Sequence, residues 1–284
     1  MKSLITGGPV TPLFSAVVLG QYNVTYYRCD DTGFIQTDPA YWLAEAYTDA
    51  ITALDVGLVQ RNLTQAKLTA ALIERSMPKA TRFIDYGGGY GLFTRLMRDK
   101  GFPFLHHDPH CVNIFAAGFE AGFSSEAGVS RYDLLTAWEV FEHLSDPIAV
   151  IKTLVQQSRR VLFSTVLVPN ETPRRVEDWW YFTPETGQHL SFYTAQSLRQ
   201  IASDLGIYYY TDNVSLNLFS SEPLSEHPFA VQWRQWPTKL ASELSDLCLK
   251  FARRRNSLIE HDYDLAIKHL QATHQTAGVT HDQT

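Results

Sequence analysis

The hydrophobic pattern of the chain changes character near residue 80. Before that point, Ser15–Leu19 and Asn23–Tyr27 are apolar or β-branched runs parted by the turn-like Gly20-Gln21, which predicts a β-rich start over residues 1–37. Apolar residues then recur at helical spacing from Tyr47 and Ile51 through Leu58 and Leu68 to Leu72 and Ile73. This predicts helices over 38–77, with Asp38 as N-cap, Pro39 at the first helical position, a break at Gly57 and an end at Pro78.

From Arg82 onward, short apolar runs alternate with amphipathic segments. Strands are predicted at Arg82–Tyr86, Pro103–His107, Tyr132–Ala137, Arg160–Thr165, Ile207–Thr211 and Leu216–Ser220. Helices are predicted between them. One carries Leu92, Leu96 and Met97 and stops at Lys100-Gly101; a second opens at Asp146-Pro147; a third is capped by Thr194 and ended by Gly206. Such alternation implies a mainly parallel sheet with helices on both faces, a Rossmann-like α/β fold. The last two strands follow each other directly, as an antiparallel edge hairpin would. The chain divides on this reading into an N-terminal extension (1–78, hairpins then helices, placed as a cap over a ligand), a ligand-binding α/β domain (79–222), and a C-terminal segment (223–284) with helices over 238–272 and a polar tail.

Composition narrows the function. With 45% hydrophobic and 19% charged residues the chain can build a core. Its net charge of −6 argues against general affinity for nucleic acid or anionic membrane. No apolar run approaches a bilayer span, and no signal peptide is read at the start. The cysteines, Cys29, Cys111 and Cys248, show no paired spacing. A cytoplasmic protein is expected.

The sharpest local signal is Asp85-Tyr86-Gly87-Gly88-Gly89-Tyr90-Gly91, set between a predicted strand and a predicted helix. Glycines there let a ligand approach the backbone, and the helix start offers free N–H groups. The dinucleotide fingerprint G-x-G-x-x-G/A fails in both frames, ending on Leu92 or Thr94, and no P-loop lysine follows. A nicotinamide-dependent oxidoreductase is therefore disfavoured. Asp108 ends the next strand, where a carboxylate would grip ribose hydroxyls; an ordinary turn residue is the alternative.

The remaining pattern, D-x-G-x-G-x-G, resembles motif I of class I S-adenosylmethionine-dependent methyltransferases. Asp133-Leu134-Leu135 leading into Glu139-Val140-Phe141-Glu142-His143-Leu144-Ser145-Asp146-Pro147 resembles the fourth strand of the same family. Trp179 to Tyr193, and the stretch Asp55 to Asn62, resemble the methyltransferase domain 23 group. The resemblance implies S-adenosylmethionine as cofactor, held by Asp85, Gly87, Gly88, Gly89, Gly91, Asp108 and Glu139. It implies methyl transfer to a small-molecule acceptor, with oxygen favoured and sugars or secondary metabolites as the expected class. Relatives often carry paired N-terminal cysteines for zinc; only Cys29 stands here, so no structural zinc is expected.

Glu139, Glu142 and His143 would share one face of a helical turn, with His189 as a fourth group from a later loop. This E-x-x-E-H pattern with a distal histidine resembles the small-RNA 2′-O-methyltransferases and the ubiquinone-biosynthesis O-methyltransferases, in which a divalent ion contacts the hydroxyl. Three readings stay open: a metal site of Glu139, Glu142, His143 and His189, metal-free catalysis by His143, Glu142 and His189, or a purely structural role for these residues. Phe119 or Phe123 would contact adenine or pack in the core, and Arg61 and Asn62 would reach the cofactor carboxylate or lie in solvent. The aromatic residues 179–182 and Tyr193 would line the acceptor pocket or the core. A glycosyltransferase is disfavoured because Asp262-Tyr263-Asp264, the one DxD, falls in a predicted helix. A catalytically silent cofactor-binding module is the last rival.

Overall fold

The computed structural model describes residues 1–47, 55–122, 131–229, 255–265 and 268. Its main sheet has six strands: β4 (Phe83–Tyr86), β5 (Phe104–His107), β6 (Leu134–Ala137), β7 (Arg160–Ser164), β9 (Tyr208–Thr211) and β10 (Leu216–Ser220). They lie in the order β5-β4-β6-β7-β10-β9. The first four are parallel, and β10 runs antiparallel to both β7 and β9. All six expected strands are present, and the expected edge hairpin is β9–β10. Beyond β5, among the described residues, the sheet continues as a single bridge from His106 to Glu120.

Alternation along each strand sends side chains to two cores. Phe83, Phe104, Leu134, Leu162 and Leu218 face α2 (Leu58–Ser76) and α3 (Leu92–Asp99). Their neighbours Ile84, Leu135, Val161, Phe163 and Phe219 face α4 (Pro147–Gln157) and α5 (Ala195–Asp204). The caps read from the sequence for α4 and α5 both form. Asp146 accepts from Ala149 N at 3.2 Å with Pro147 in the first turn. Thr194 and Ser197 close a reciprocal capping box. Such caps contribute about 0.5–2 kcal/mol each.

The N-terminal strands β1 (Val10–Val18), β2 (Tyr22–Cys29) and β3 (Ile35–Thr37) form a second sheet, completed by β8 (Ser191–Phe192). The expected helix from Asp38 does not form. Its carboxylate accepts from Thr25 N at 2.7 Å and the Tyr27 hydroxyl at 3.1 Å, so it is spent on β2. The helix there is short, α1 (Leu43–Ala46), with Trp42 before it. Gly57 does mark the break, as the residue preceding α2. Cys29 is buried under this sheet and Cys111 is partly buried; Cys248 lies outside the described residues.

Most of the C-terminal helical expectation also lies outside them, but residues 259–265 are helical. They dock on α3 through Asp262, which takes two bonds from Arg98 (2.7 and 2.8 Å) and an ion pair from Arg95 at 2.9 Å. Burial alone would raise the Asp262 carboxyl, but the bonds from Arg98 prevail and hold it at about 2. This aspartate serves packing, which removes the DxD reading. Among the described residues, no helix is long and apolar enough to cross a membrane.

Candidate active site

The C-terminal ends of β4, β5 and β6 open into a cleft of about 930 Å³, shared with the α1 segment, the start of α2 and the loop over residues 180–189. The turn after β4 forms its floor. Gly91 adopts φ +84° as the residue preceding α3, and a Cβ there would lie 3.3 Å from Ala116 N. A Cβ on Gly88 would sit 2.6 Å from the Asp85 carboxylate and 2.8 Å from the His106 ring. Glycine at 88 therefore lets Asp85 stand directly behind the turn.

Asp85 is buried. Its Oδ1 accepts from the Thr136 hydroxyl at 2.6 Å, while Oδ2 completes no hydrogen bond among the described residues. Burial, offset in part by Thr136 and reinforced by Asp108, pushes its carboxyl up to about 7. Asp108 lies on the same side of the turn. Its Oδ2 accepts from Gly89 N at 2.8 Å, and its Oδ1 accepts from His110 N and Cys111 N at 2.8 and 3.0 Å. The carboxylate is fixed, and Oδ2, which accepts only once, keeps lone-pair capacity for a ligand hydroxyl. These features fit S-adenosylmethionine: an orphaned buried carboxylate oxygen for a cationic group, a cradle a Cβ would fill, and a second fixed carboxylate beside it.

The segment after β6 departs from expectation. Glu139 is not in a helix; it adopts φ +52°, and both its N–H and its carboxylate engage the Ser164 hydroxyl. A single turn of 3₁₀ helix follows at Phe141–His143. The i, i+3, i+4 face therefore does not form, and Glu139 stands apart from the other three acids and imidazoles. Glu142, His143 and His189 do converge, each offering a ligand atom within 4.8 Å of the others.

Their hydrogen bonds fix how they present. His143 Nδ1 lies 3.1 Å from the Gln188 carbonyl, and His189 Nδ1 lies 2.7 Å from the Tyr181 carbonyl. A carbonyl only accepts, so both Nδ1 atoms carry the proton and both Nε2 atoms carry the lone pair. Burial lowers His143 to about 3 and His189 to about 4, keeping the rings neutral. Glu142 is buried, with neither carboxylate oxygen completing a hydrogen bond among the described residues. Burial, with Glu139 adding, raises it to about 8.

Arg61 and Asn62 line the cleft, Arg61 paired with Asp55 at 2.7 Å and Asn62 donating to Leu58 O. Phe119 packs under the Arg98 guanidinium, 3.4 Å from its ring centre, rather than in the cleft, and Phe123 lies outside the described residues. Trp179, Phe182 and Tyr193 are core, while Tyr181 and Trp180 line the cleft, Trp180 with 72% of its surface exposed.

The sequence reading missed Tyr47 and Phe115, which also line the cleft. Tyr47 was one apolar position in a helical series; its tertiary partners lie too far along the chain to leave a local signal.

No curated protein matches the chain. Among solved structures it resembles TnmH, with 18% identity, 64% of this chain and 61% of TnmH covered, and a TM-score of 0.46. It resembles human N-acetylserotonin methyltransferase in complex with S-adenosylmethionine, with 11% identity, coverage of 64% and 66%, and a TM-score of 0.39. It also resembles an O-methyltransferase family 2 protein from Planctomyces limnophilus in complex with apigenin, at 14% identity, coverage of 63% and 65%, and a TM-score of 0.44. The chain spans less than two thirds of each. A family model described as methyltransferase domain, of the domain 23 group, matches residues 58–211. That stretch is more than half of the chain and contains the glycine turn, Asp108 and the Glu142-His143 turn: the protein belongs to this family of class I S-adenosylmethionine-dependent methyltransferases, and S-adenosylmethionine is its cofactor.

Proposed function

We propose that the protein methylates a hydroxyl oxygen of a small acceptor, of the sugar or secondary-metabolite class, with Glu142, His143 and His189 holding a divalent ion at that oxygen. The observation that carries this is the convergence of two imidazoles on a buried carboxylate that has no hydrogen-bond partner among the described residues. Each imidazole donates its other N–H to a backbone carbonyl, the outer-shell arrangement that orients metal-ligating histidines. Neutral imidazoles this buried are weak bases, which favours the ion over proton abstraction by histidine. An ion here would favour the deprotonated oxygen and fix its position.

The cofactor supplies a methyl group on a cationic sulfur. The chain's own part is placement. Asp85 and the Gly87–Gly91 turn hold the methionine end, Asp108 accepts from the ribose hydroxyls, and Trp180 and Tyr181 wall the acceptor side of the cleft.

Incubation with methyl-labelled cofactor and a panel of hydroxylated acceptors, analysed by mass spectrometry, tests this reading. An O-methylated product, lost with a strong chelator and restored by Mg²⁺ or Mn²⁺, is expected. Full turnover in chelator removes the ion from the reading, and a product methylated on carbon or nitrogen removes the hydroxyl.

The Asp85 assignment carries its own expectation. Its carboxyl is raised to about 7 in the free protein, so a cationic group placed beside it must displace a proton below that pH. Affinity for S-adenosylhomocysteine, measured by calorimetry, should therefore strengthen by up to about tenfold per pH unit on approaching pH 7 from below, then level off. Asp85→Asn should bind more weakly and lose that slope.

A further inference from the structure

Tyr47 stands just after α1, ahead of the residues matched by the family model, yet it lines the cleft. Three bonds fasten its surroundings. Trp42 Nε1 donates to Gly187 O at 2.8 Å, Gln188 Nε2 donates to Ala46 O at 2.8 Å, and Leu190 N donates to Glu142 O at 2.8 Å. The α1 turn, the 187–190 loop and the Glu142-His143 turn thus form one unit with Tyr47 inside it.

The Tyr47 hydroxyl oxygen lies 3.1 Å from His143 Nδ1. That nitrogen carries its proton, because the Gln188 carbonyl 3.1 Å away only accepts. The phenol oxygen is therefore a second acceptor of the same N–H, and its own proton takes no part in the bond. Among the described residues that O–H has no acceptor. Its ring lies beside His110, centroids 6.2 Å apart, on the loop that follows Asp108. A half-buried hydroxyl whose donor has no partner among the described residues is open to a ligand oxygen.

We propose that Tyr47 is a cofactor-binding residue, its O–H donating to an oxygen of the cofactor between the Asp108 end of the groove and His143. This rests on the glycine turn and Asp108 being the cofactor groove, and it does not depend on the ion.

Tyr47→Phe keeps the ring and removes only the donor. Calorimetry with S-adenosylhomocysteine, on the full chain, should show an affinity loss of about two- to tenfold against the wild type. His143→Ala serves as the control: it removes the same Tyr47–His143 bond but should leave that affinity unchanged. A purely structural Tyr47 would lower the melting temperature and leave the affinity alone. Unchanged affinity in Tyr47→Phe, or an equal loss in His143→Ala, overturns the proposal. Absence of binding by folded wild type would instead sink the reading of the groove itself.

Discussion

His143→Ala is expected to lower turnover by about 10²–10⁴-fold while the affinity for S-adenosylhomocysteine stays within about twofold of wild type. The asymmetry follows from position. Asp85, the glycine turn and Asp108 make no hydrogen bond to His143, whereas its ring offers a nitrogen within 4.8 Å of ligand atoms on Glu142 and His189. Losing the imidazole removes one of three converging ligands and leaves Glu142 buried with one fewer partner for an ion. Glu142→Gln should behave alike, since it keeps the shape and removes the charge. Metal titration of the wild type and both variants, followed by calorimetry or by Mn²⁺ paramagnetic resonance, checks this independently of any acceptor. Tight Mn²⁺ binding by Glu142→Gln would remove this site from the proposal.

Asp262→Ala is expected to destabilise the fold by about 3–5 kcal/mol, because it strands the Arg98 guanidinium in the interior. Both partners are 5% exposed in their side chains, and Arg98 is further fixed by the Phe104 carbonyl at 3.0 Å and the Phe119 ring. Replacing both partners, as in Arg98→Met with Asp262→Leu, should recover much of the loss, since it removes the stranded charge. Urea unfolding of the two variants measures this, and equal losses in both would contradict it. The pH dependence has a definite sign. Asp262 is held at about 2 against 3.8 for the unfolded chain, so its contribution is complete above about pH 4 and fades as pH falls through about 2.

Much of this was legible in the residues. The six strands of the main sheet are short apolar runs bounded by turn residues, and burial on both faces leaves them little freedom to be anything else. Asp85, the glycines and Asp108 could be located because strand, turn and helix are contiguous, so their spacing encodes their meeting. The cap was harder. Asp38 has the local chemistry of a helix start, but Thr25 and Tyr27 claim it through a sheet that local sequence cannot announce. Glu139 looked like part of a helical face, and only its positive φ and the Ser164 hydroxyl reveal otherwise. Tyr47 meets His143 across 96 residues of chain, and no periodicity carries information over that distance.

The pairing of β3 with β8 has a practical consequence for re-engineering. One side of the cleft is lined from two separate stretches, residues 43–47 ahead of the α/β core and residues 180–189 embedded within it. Transplanting residues 1–47 onto a cousin would import a sheet whose closing strand stayed behind in the donor. Any swap of specificity has to move the 176–194 stretch together with the N-terminal strands, as a two-piece graft.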